Sequence, residues 1–459
     1  MRRITRLIGY CSLALLAAGP AVADEAADVE PAPSDLWLLY QQAQEQDPRI
    51  LTAEAAARRA EYQEREALGR LLPQVNADSR LTRTNYISGA YETYYGGERY
   101  SVSMSQVLYD SPVWQSYQRS RALSQQYAEQ GEHDIQGATA DLVQRYFDVL
   151  AAQDSLELIQ AEKRSVERNL ERVRSLFERQ LAPITDKLEV EARLDRLRSD
   201  EIEARNNIWV TREALAEVIG RPVYEQLERL VAQPKLAQAF ELESFEHWRD
   251  LALANSPLIQ SKLASVDAQR AARKEAQGGH MPKISMQLSS QKSNIGNENS
   301  PSPRTESNVA ALQIQIPIFS GGSTSARSDA AYESMLIARQ ELETVRRQVL
   351  KEVRTAYMNA ESALAKVQAG KVALQSATKA REAAEKSFSY GINNAVDVLD
   401  RAREQYSAER DLLEAQYSFL LSYVVLKRWS GNLSEDDVQQ INTLLDMHEV
   451  KYAAVEAAG

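Results

Sequence analysis

Asp397 and Asp400 come closest to a pair of residues placed for chemistry. They stand three apart in Tyr390-Gly391-Ile392-Asn393-Asn394-Ala395-Val396-Asp397-Val398-Leu399-Asp400, so they share a face in the first turns of the helix that begins there. Two carboxylates so placed could serve as an acid/base pair, or could only complement the positive end of a helix dipole. No nucleophile or partner group accompanies them in the sequence. There is no glycine-rich phosphate loop, HExxH or GxSxG. The four histidines, His133, His247, His280 and His448, are scattered and pair with nothing. The single cysteine, Cys11, falls in a segment expected to be removed. Zinc and thiol chemistry thus have no carriers, and the reading is of a non-enzyme with no cofactor and no metal.

The elements around this pair set the class. The chain has 459 residues, 26% of them charged, and a net charge of −11. No cationic balance points to nucleic acid. Aromatics make up 7% and there are only 18 glycines, which suits long helices better than a sandwich or propeller. Residues 1–23 read as a secretory signal peptide: Arg2, Arg3 and Arg6, then an apolar run from Leu7 to Ala18, then Ala21-Val22-Ala23. Cys11 follows the bulky Tyr10, which argues against lipid attachment. An exported chain without cysteine is held by packing or assembly. Beyond the signal no apolar run approaches the roughly 20 residues of a membrane helix, so any membrane contact is expected from β-strands.

The chain also repeats itself. Asp47-Pro48 matches Ser256-Pro257 and Leu72-Pro73 matches Met281-Pro282, both 209 residues apart. Leu108-Tyr109 matches Ile318-Phe319 at 210, and Asp186-Lys187-Leu188 matches Asp397-Val398-Leu399 at 211. So slow a drift implies an internal duplication. We divide the chain into a first repeat at 35–218, a connector at 219–243, a second repeat at 244–430 and a tail at 431–459, whose last residues are expected to be disordered.

Each repeat opens with a helix, roughly 49–71 and 258–279, ended by Pro73 and Pro282. A strand pair follows, about 74–109 and 283–319. Tyr100, Val102 and Met104 alternate with serines, and Leu312, Ile314 and Ile316 alternate with glutamines. Period 2 is a strand signal, although a soluble hairpin with one face on a core shows the same pattern. Polar stretches at 87–97 and 293–307 read as loops, with Tyr91, Tyr94 and Tyr95 in or beside the first. A very long helix comes next, about 113–180 and 323–390, without internal proline and roughly 100 Å long at 1.5 Å per residue. Leu342, Val345, Val349, Val353, Ala356, Ala360, Leu364 and Val367 step along it at a mean close to 3.6. After a turn a helix returns at 186–218 and 394–430. A soluble coiled coil accounts for the helices alone.

Signal peptide, duplication and the order helix, two strands, very long helix, turn, helix together resemble the TolC-like outer membrane factors of Gram-negative bacteria, over roughly residues 35–440. The most specific parts are Tyr390-Gly391 through Asp400, its counterpart Ala182-Pro183-Ile184-Thr185-Asp186, and the junctions Leu108-Tyr109-Asp110 and Ile318-Phe319-Ser320-Gly321-Gly322. The resemblance implies a mainly α fold with a small β part, assembled as a homotrimer. Four strands from each chain would join one shared twelve-stranded barrel in outer membrane lipid, and the helices would form a second barrel across the periplasm. It also implies a passive exit duct for type I protein secretion or multidrug efflux. A periplasmic adaptor and an inner-membrane ABC or RND-type transporter would open it. A periplasmic adaptor or a structural coiled coil are the alternatives; neither explains the duplicated strand pairs.

The same resemblance assigns Thr185, Asp186, Phe388, Asn393, Asp397 and Asp400 to the periplasmic gate and constriction, with the two aspartates of three chains ringing the opening. It assigns the turns at Gln180, Leu181, Tyr390, Gly391 and Ile392 to adaptor docking. In the family a Tyr and an Arg latch the closed tip to the Thr-Asp pair. Phe388 and Asn393 stand at those positions: Phe388 offers no hydrogen bond and Asn393 no charge, so the resemblance implies a weaker or differently built latch in which an Asn393 bond to Thr185 stays open. The family usually has glycine in both turns, whereas Gln180 occupies the first.

Overall fold

Two long helical hairpins carry a four-stranded sheet at one end. The computed structural model describes residues 34–230, 236–240, 242–295, 303–390, 392 and 394–446. The signal segment, the end of the tail, Gly391 and Asn393 lie outside the described residues.

In the first half, helices α1 (Leu36–Gln46) and α2 (Pro48–Gly69) lead into strands β1 (Gln74–Ser88) and β2 (Tyr91–Tyr109), then α3 (Ser111–Glu178) and α4 (Ile184–Ile219). A connector holds β3 (Arg229–Leu230) and α5 (Leu236–Ala239). The second half repeats the order: α6 (Phe245–Asn255), α7 (Pro257–Gln277), β4 (Lys283–Ser293), β5 (Thr305–Gln315), α8 (Ser323–Ser389) and α9 (Ala395–Ser430), followed by α10 (Glu435–Asn442) and β6 (Leu445–Asp446). Among the described residues no helix is long and apolar enough to cross a membrane.

Local chemistry explains the boundaries. Asp47 caps α2, accepting from the Arg49 N–H at 2.8 Å, with Pro48 in the first turn where its missing N–H costs nothing. The helix ends at Gly69 rather than running to Pro73, because the Leu71 and Leu72 N–H groups turn back onto the Leu68 and Gly69 carbonyls. Asp110 caps α3 in the same way. The 68 residues of α3 and 67 of α8 each span about 100 Å. Leu342, Val345, Val349, Val353, Ala356, Ala360 and Val367 form one buried seam along α8. α3 packs antiparallel to α4, and α8 to α9; α2 lies along α3, and α7 lies against both α3 and α8.

The strands order as β1-β2-β4-β5, all antiparallel, with β1 and β5 as free edges. Two expectations change here. The 87–97 stretch is not a loop: β1 and β2 join through a two-residue turn at Gly89-Ala90, with Gly89 at φ +62°, and Tyr91, Tyr94 and Tyr95 lie on β2. Glycine at the first turn position matches the strand twist, and the polar composition of the hairpin had hidden its alternation. The last strand occupies 305–315, so it begins inside the stretch read as a loop at 293–307 and stops short of 319. β4 begins at Lys283, opposite Gln315, so Ile316–Phe319 finds no ladder partner, and Pro317 has no N–H to offer one.

The main core lies midway along the helices. Tyr146, Phe147 and Leu150 of α3 meet Phe419, Leu420 and Val424 of α9. Connector residues Val223, Leu227 and Leu230 and tail residues Val438, Ile441 and Leu445 close it. β3 pairs with β6, so the first part of the tail is tied to the connector. Asn442 also accepts from the Trp37 N–H at 3.2 Å and donates to Asp35 at 3.0 Å.

Candidate functional site at the helical tips

The two hairpin turns lie together at the end of the molecule away from the sheet. The first closes α3 with Gln180 in the left-handed region, φ 63°, the one non-glycine residue there among the described residues. Its N–H bonds the Phe177 carbonyl at 2.8 Å, and the Leu181 N–H reaches back five residues to the Leu176 carbonyl at 2.8 Å. This pair of bonds satisfies the last carbonyls of the helix. In the second turn the Ile392 N–H makes the same five-residue bond to the Ser387 carbonyl, at 3.0 Å. Gly391 and Asn393, named from the sequence in this turn, lie outside the described residues.

The returning helices start differently. Pro183 precedes α4 and offers no side-chain cap; Asp186 supplies negative charge in the first turn, and Thr185 Oγ1 donates to its carboxylate at 3.4 Å. α9 starts with a reciprocal cap: Asn394 Oδ1 accepts from the Asp397 N–H at 2.8 Å, and the Asp397 carboxylate accepts from the Asn394 N–H at 3.4 Å. Asp397 and Asp400 are both exposed. Asp397 therefore has a structural duty at the helix start, whereas Asp400 has no bonded partner among the described residues.

A groove of about 760 Å³ separates the hairpins, lined by Arg172, Leu181, Pro183, Asp186, Phe388 and Asn394 among others. Phe388 and Asp186 thus share a groove. The ring of Phe388 packs against a small buried cluster of α3 and α4, Val166, Leu170, Val173, Val190, Leu194 and Leu197, joined by Leu399 of α9. The guanidinium of Arg172 lies 5.3 Å from the centre of that ring. Sequence reasoning did not single out Arg172; no local pattern marks which α3 side chain meets α8. Below the tip, ion pairs bind α3 to α4: Arg174–Glu191 at 2.9 Å, Lys163–Glu201 at 2.8 Å and Arg193–Glu162. The hydrogen bond from Arg174 holds the Glu191 carboxyl below its ordinary pKa. On α8 and α9, Arg381 bonds Glu385 and reaches Gln405 at 3.1 Å. The turns present bare apolar side chains, with Leu181 71%, Tyr390 81% and Ile392 76% exposed. No group of three or more histidine, cysteine or acidic residues suited to a metal occurs among the described residues.

The family model described as outer membrane efflux protein matches residues 39–221 and 248–432, one match to each half. The chain belongs to the outer membrane efflux protein family. It is 31% identical over 410 residues to the outer membrane protein TolC of Vibrio cholerae, covering 88% of this chain and 92% of that one. It is 29% identical over 346 residues to the alkaline protease secretion protein AprF of Pseudomonas aeruginosa, covering 74% and 71%. In fold it is similar to the Campylobacter jejuni CmeC outer membrane channel, with TM-score 0.74, 16% identity and 90% of each chain covered. Membership gives the two-hairpin fold its setting: an outer membrane protein of a channel family rather than an enzyme family.

Proposed function

We propose that the protein is a passive outer membrane exit duct, working as a homotrimer with a periplasmic adaptor and an inner-membrane ABC or RND-type transporter. The observation that carries this reading is the sheet. On one face stand Val75, Ala77, Tyr100, Val102, Met104, Ile284, Met286, Leu288, Leu312 and Ile314; on the other, Gln74, Asn76, Ser101, Ser103, Ser105, Gln287, Ser289, Gln313 and Gln315. The apolar face is bare, with Val75 66% and Leu312 62% exposed. Four strands cannot close on themselves, and lipid tolerates no open edge. Joining β5 of one copy to β1 of the next, three times, removes every edge. It turns the apolar face to lipid and the polar face to a lumen. The repeats at 35–218 and 244–430 each contribute one strand pair and one helical hairpin.

At the other end the tips form the gate. Thr185, Asp186, Phe388, Asp397 and Asp400 line or brace the constriction, and Asn393 is assigned to it by its place in the sequence. The exposed apolar side chains of Leu181, Tyr390 and Ile392, on the turns that also hold Gln180 and Gly391, are the surface on which an adaptor docks. Secretion of a protein is favoured over small-molecule efflux by the likeness to a protease secretion protein over 74% of the chain. Mass measurement in detergent tests the assembly: three chains are expected, with migration that changes on heating. A stable monomer retaining its β-structure would overturn the reading.

A further inference from the structure

On the polar face of the sheet two arginines stand directly opposite each other. Arg80 of β1 and Arg99 of β2 are register partners, and Arg99 pairs on its other side with Ser293, which in turn pairs with Thr305. This is the last row in which all four strands are joined, because β4 ends at Ser293 and β5 begins at Thr305. It lies ten residues along β4 from the helical end, about 34 Å at the usual rise per residue. Like charges directly opposite in an antiparallel pair destabilise it. Neither arginine has an ion pair or hydrogen-bond partner among the described residues, and the Arg99 Nε is buried with no acceptor. Asp78, two residues before Arg80 on the same face, makes no ion pair with either. Glu98, which approaches Arg304 at 3.9 Å, and the Lys292–Glu306 pair lie on the opposite face. Ile295 and the Thr82 hydroxyl lie over Gly97, two residues before Arg99 on β2.

We propose that Arg80 and Arg99 form an oxyanion-binding site at the outer mouth of the lumen, taking phosphate-type or carboxylate groups of polyvalent anions. This rests on the duct reading, which turns the polar face inward and brings three such pairs into one ring. A buried donor without an acceptor, on an arginine whose register partner is a second arginine, is what a bidentate oxyanion would satisfy. Six guanidiniums around a water-filled pore with low-dielectric walls hold a positive potential that concentrates anions.

The probe is inorganic tripolyphosphate, applied to single channels in a neutral phosphatidylcholine bilayer, which leaves no headgroup anion other than the zwitterion's own. Added on the side away from the helical tips it should block the channel, and added at the tip side it should do so far less. In Arg80→Gln/Arg99→Gln the half-blocking concentration should rise about tenfold or more, as expected for loss of charge-assisted bonds. Arg83→Gln, on the same strand but the opposite face, should leave block unchanged. Calorimetric titration of tripolyphosphate into the purified protein in detergent reads the same site without conduction, and Arg80→Lys/Arg99→Lys, which keeps charge but loses the fork, should recover part of the binding. Unchanged block in the glutamine variant, equal block from both sides, or a conducting wild type that ignores tripolyphosphate would each overturn the site. A protein that stays monomeric or forms no channels would instead overturn the duct reading on which the ring depends.

Discussion

Phe388 of α8 packs where the two hairpins meet. It cannot hydrogen-bond, yet it closes the seam between the hairpins by packing on the cluster around Val173 beneath Arg172. Phe388→Ala should therefore raise the resting conductance in planar bilayers. Arg172→Ala should shift the closed population by about two- to fivefold, the range of an exposed cation–π contact. Unchanged conductance in both would show that the tip is held elsewhere. Glu409 carries a second prediction. Burial, with Glu157 of α3 adding repulsion and Arg381 only partly offsetting it, raises its pKa from 4.5 to about 7. An acid with a raised native pKa binds more protons folded than unfolded, so its contribution to stability falls as pH rises from about 4.5 to 7. Glu409→Gln should flatten that part of the melting-temperature profile and raise the midpoint at pH 8; an unaltered profile would mean that Glu409 titrates normally.

At the scale of elements, the turns decide how rigid the hairpins are. Gln180 occupies a left-handed position that costs a non-glycine residue roughly 1 kcal/mol. Gln180→Gly should relieve that strain and slow hydrogen exchange in the last turn of α3, whereas faster exchange would show that the glutamine side chain braces the turn. The end of α9 is the reverse case. Gly431 has φ +75°, and a Cβ there would fall 2.4 Å from the Asn255 carbonyl oxygen and 2.9 Å from Pro257. Gly431→Ala should separate α9 from the start of α7 and lower the thermal midpoint by several degrees, corresponding to about 1–3 kcal/mol. A midpoint within a degree of wild type would mean that the α6–α7 junction can shift aside.

For the whole molecule, charge is distributed by end. Asp397 and Asp400 stand exposed at the tips, and Arg80 and Arg99 face each other at the far end of the sheet. In a threefold duct the tip should select cations and bind multivalent ones, and selectivity should fade as the Debye length drops to ~3 Å at 1 M salt. Reversal potentials across a salt gradient should shift toward zero in Asp400→Ala and further in Asp397→Ala/Asp400→Ala. Because Asp397 also closes the Asn394 cap, the double variant should lose about 1 kcal/mol of helix-start stability as well. Retained selectivity in the double variant would move the constriction away from these residues.

Much of this was legible in the residues alone. The spacing of Leu342 through Val367 determined a long straight helix with one buried seam, and the alternation at 99–105 and 310–316 determined strands with one apolar face. The near-constant offset of about 210 residues determined that the fold repeats. These are periodic, local properties, written wherever side chains must alternate or recur on one face. The sequence did not separate α1 and α6 as helices of their own, nor reveal that 91–97 is strand. A short amphipathic segment carries too few periods, and a tyrosine- and glycine-rich hairpin looks like a loop. What only the tertiary structure decided were meetings between distant segments: Arg172 over Phe388, the connector strand against the tail, Asn442 at Asp35, and Arg80 across from Arg99. Each depends on the register and crossing of elements, which arise when separate faces are buried together and leave no trace in the pattern of either segment.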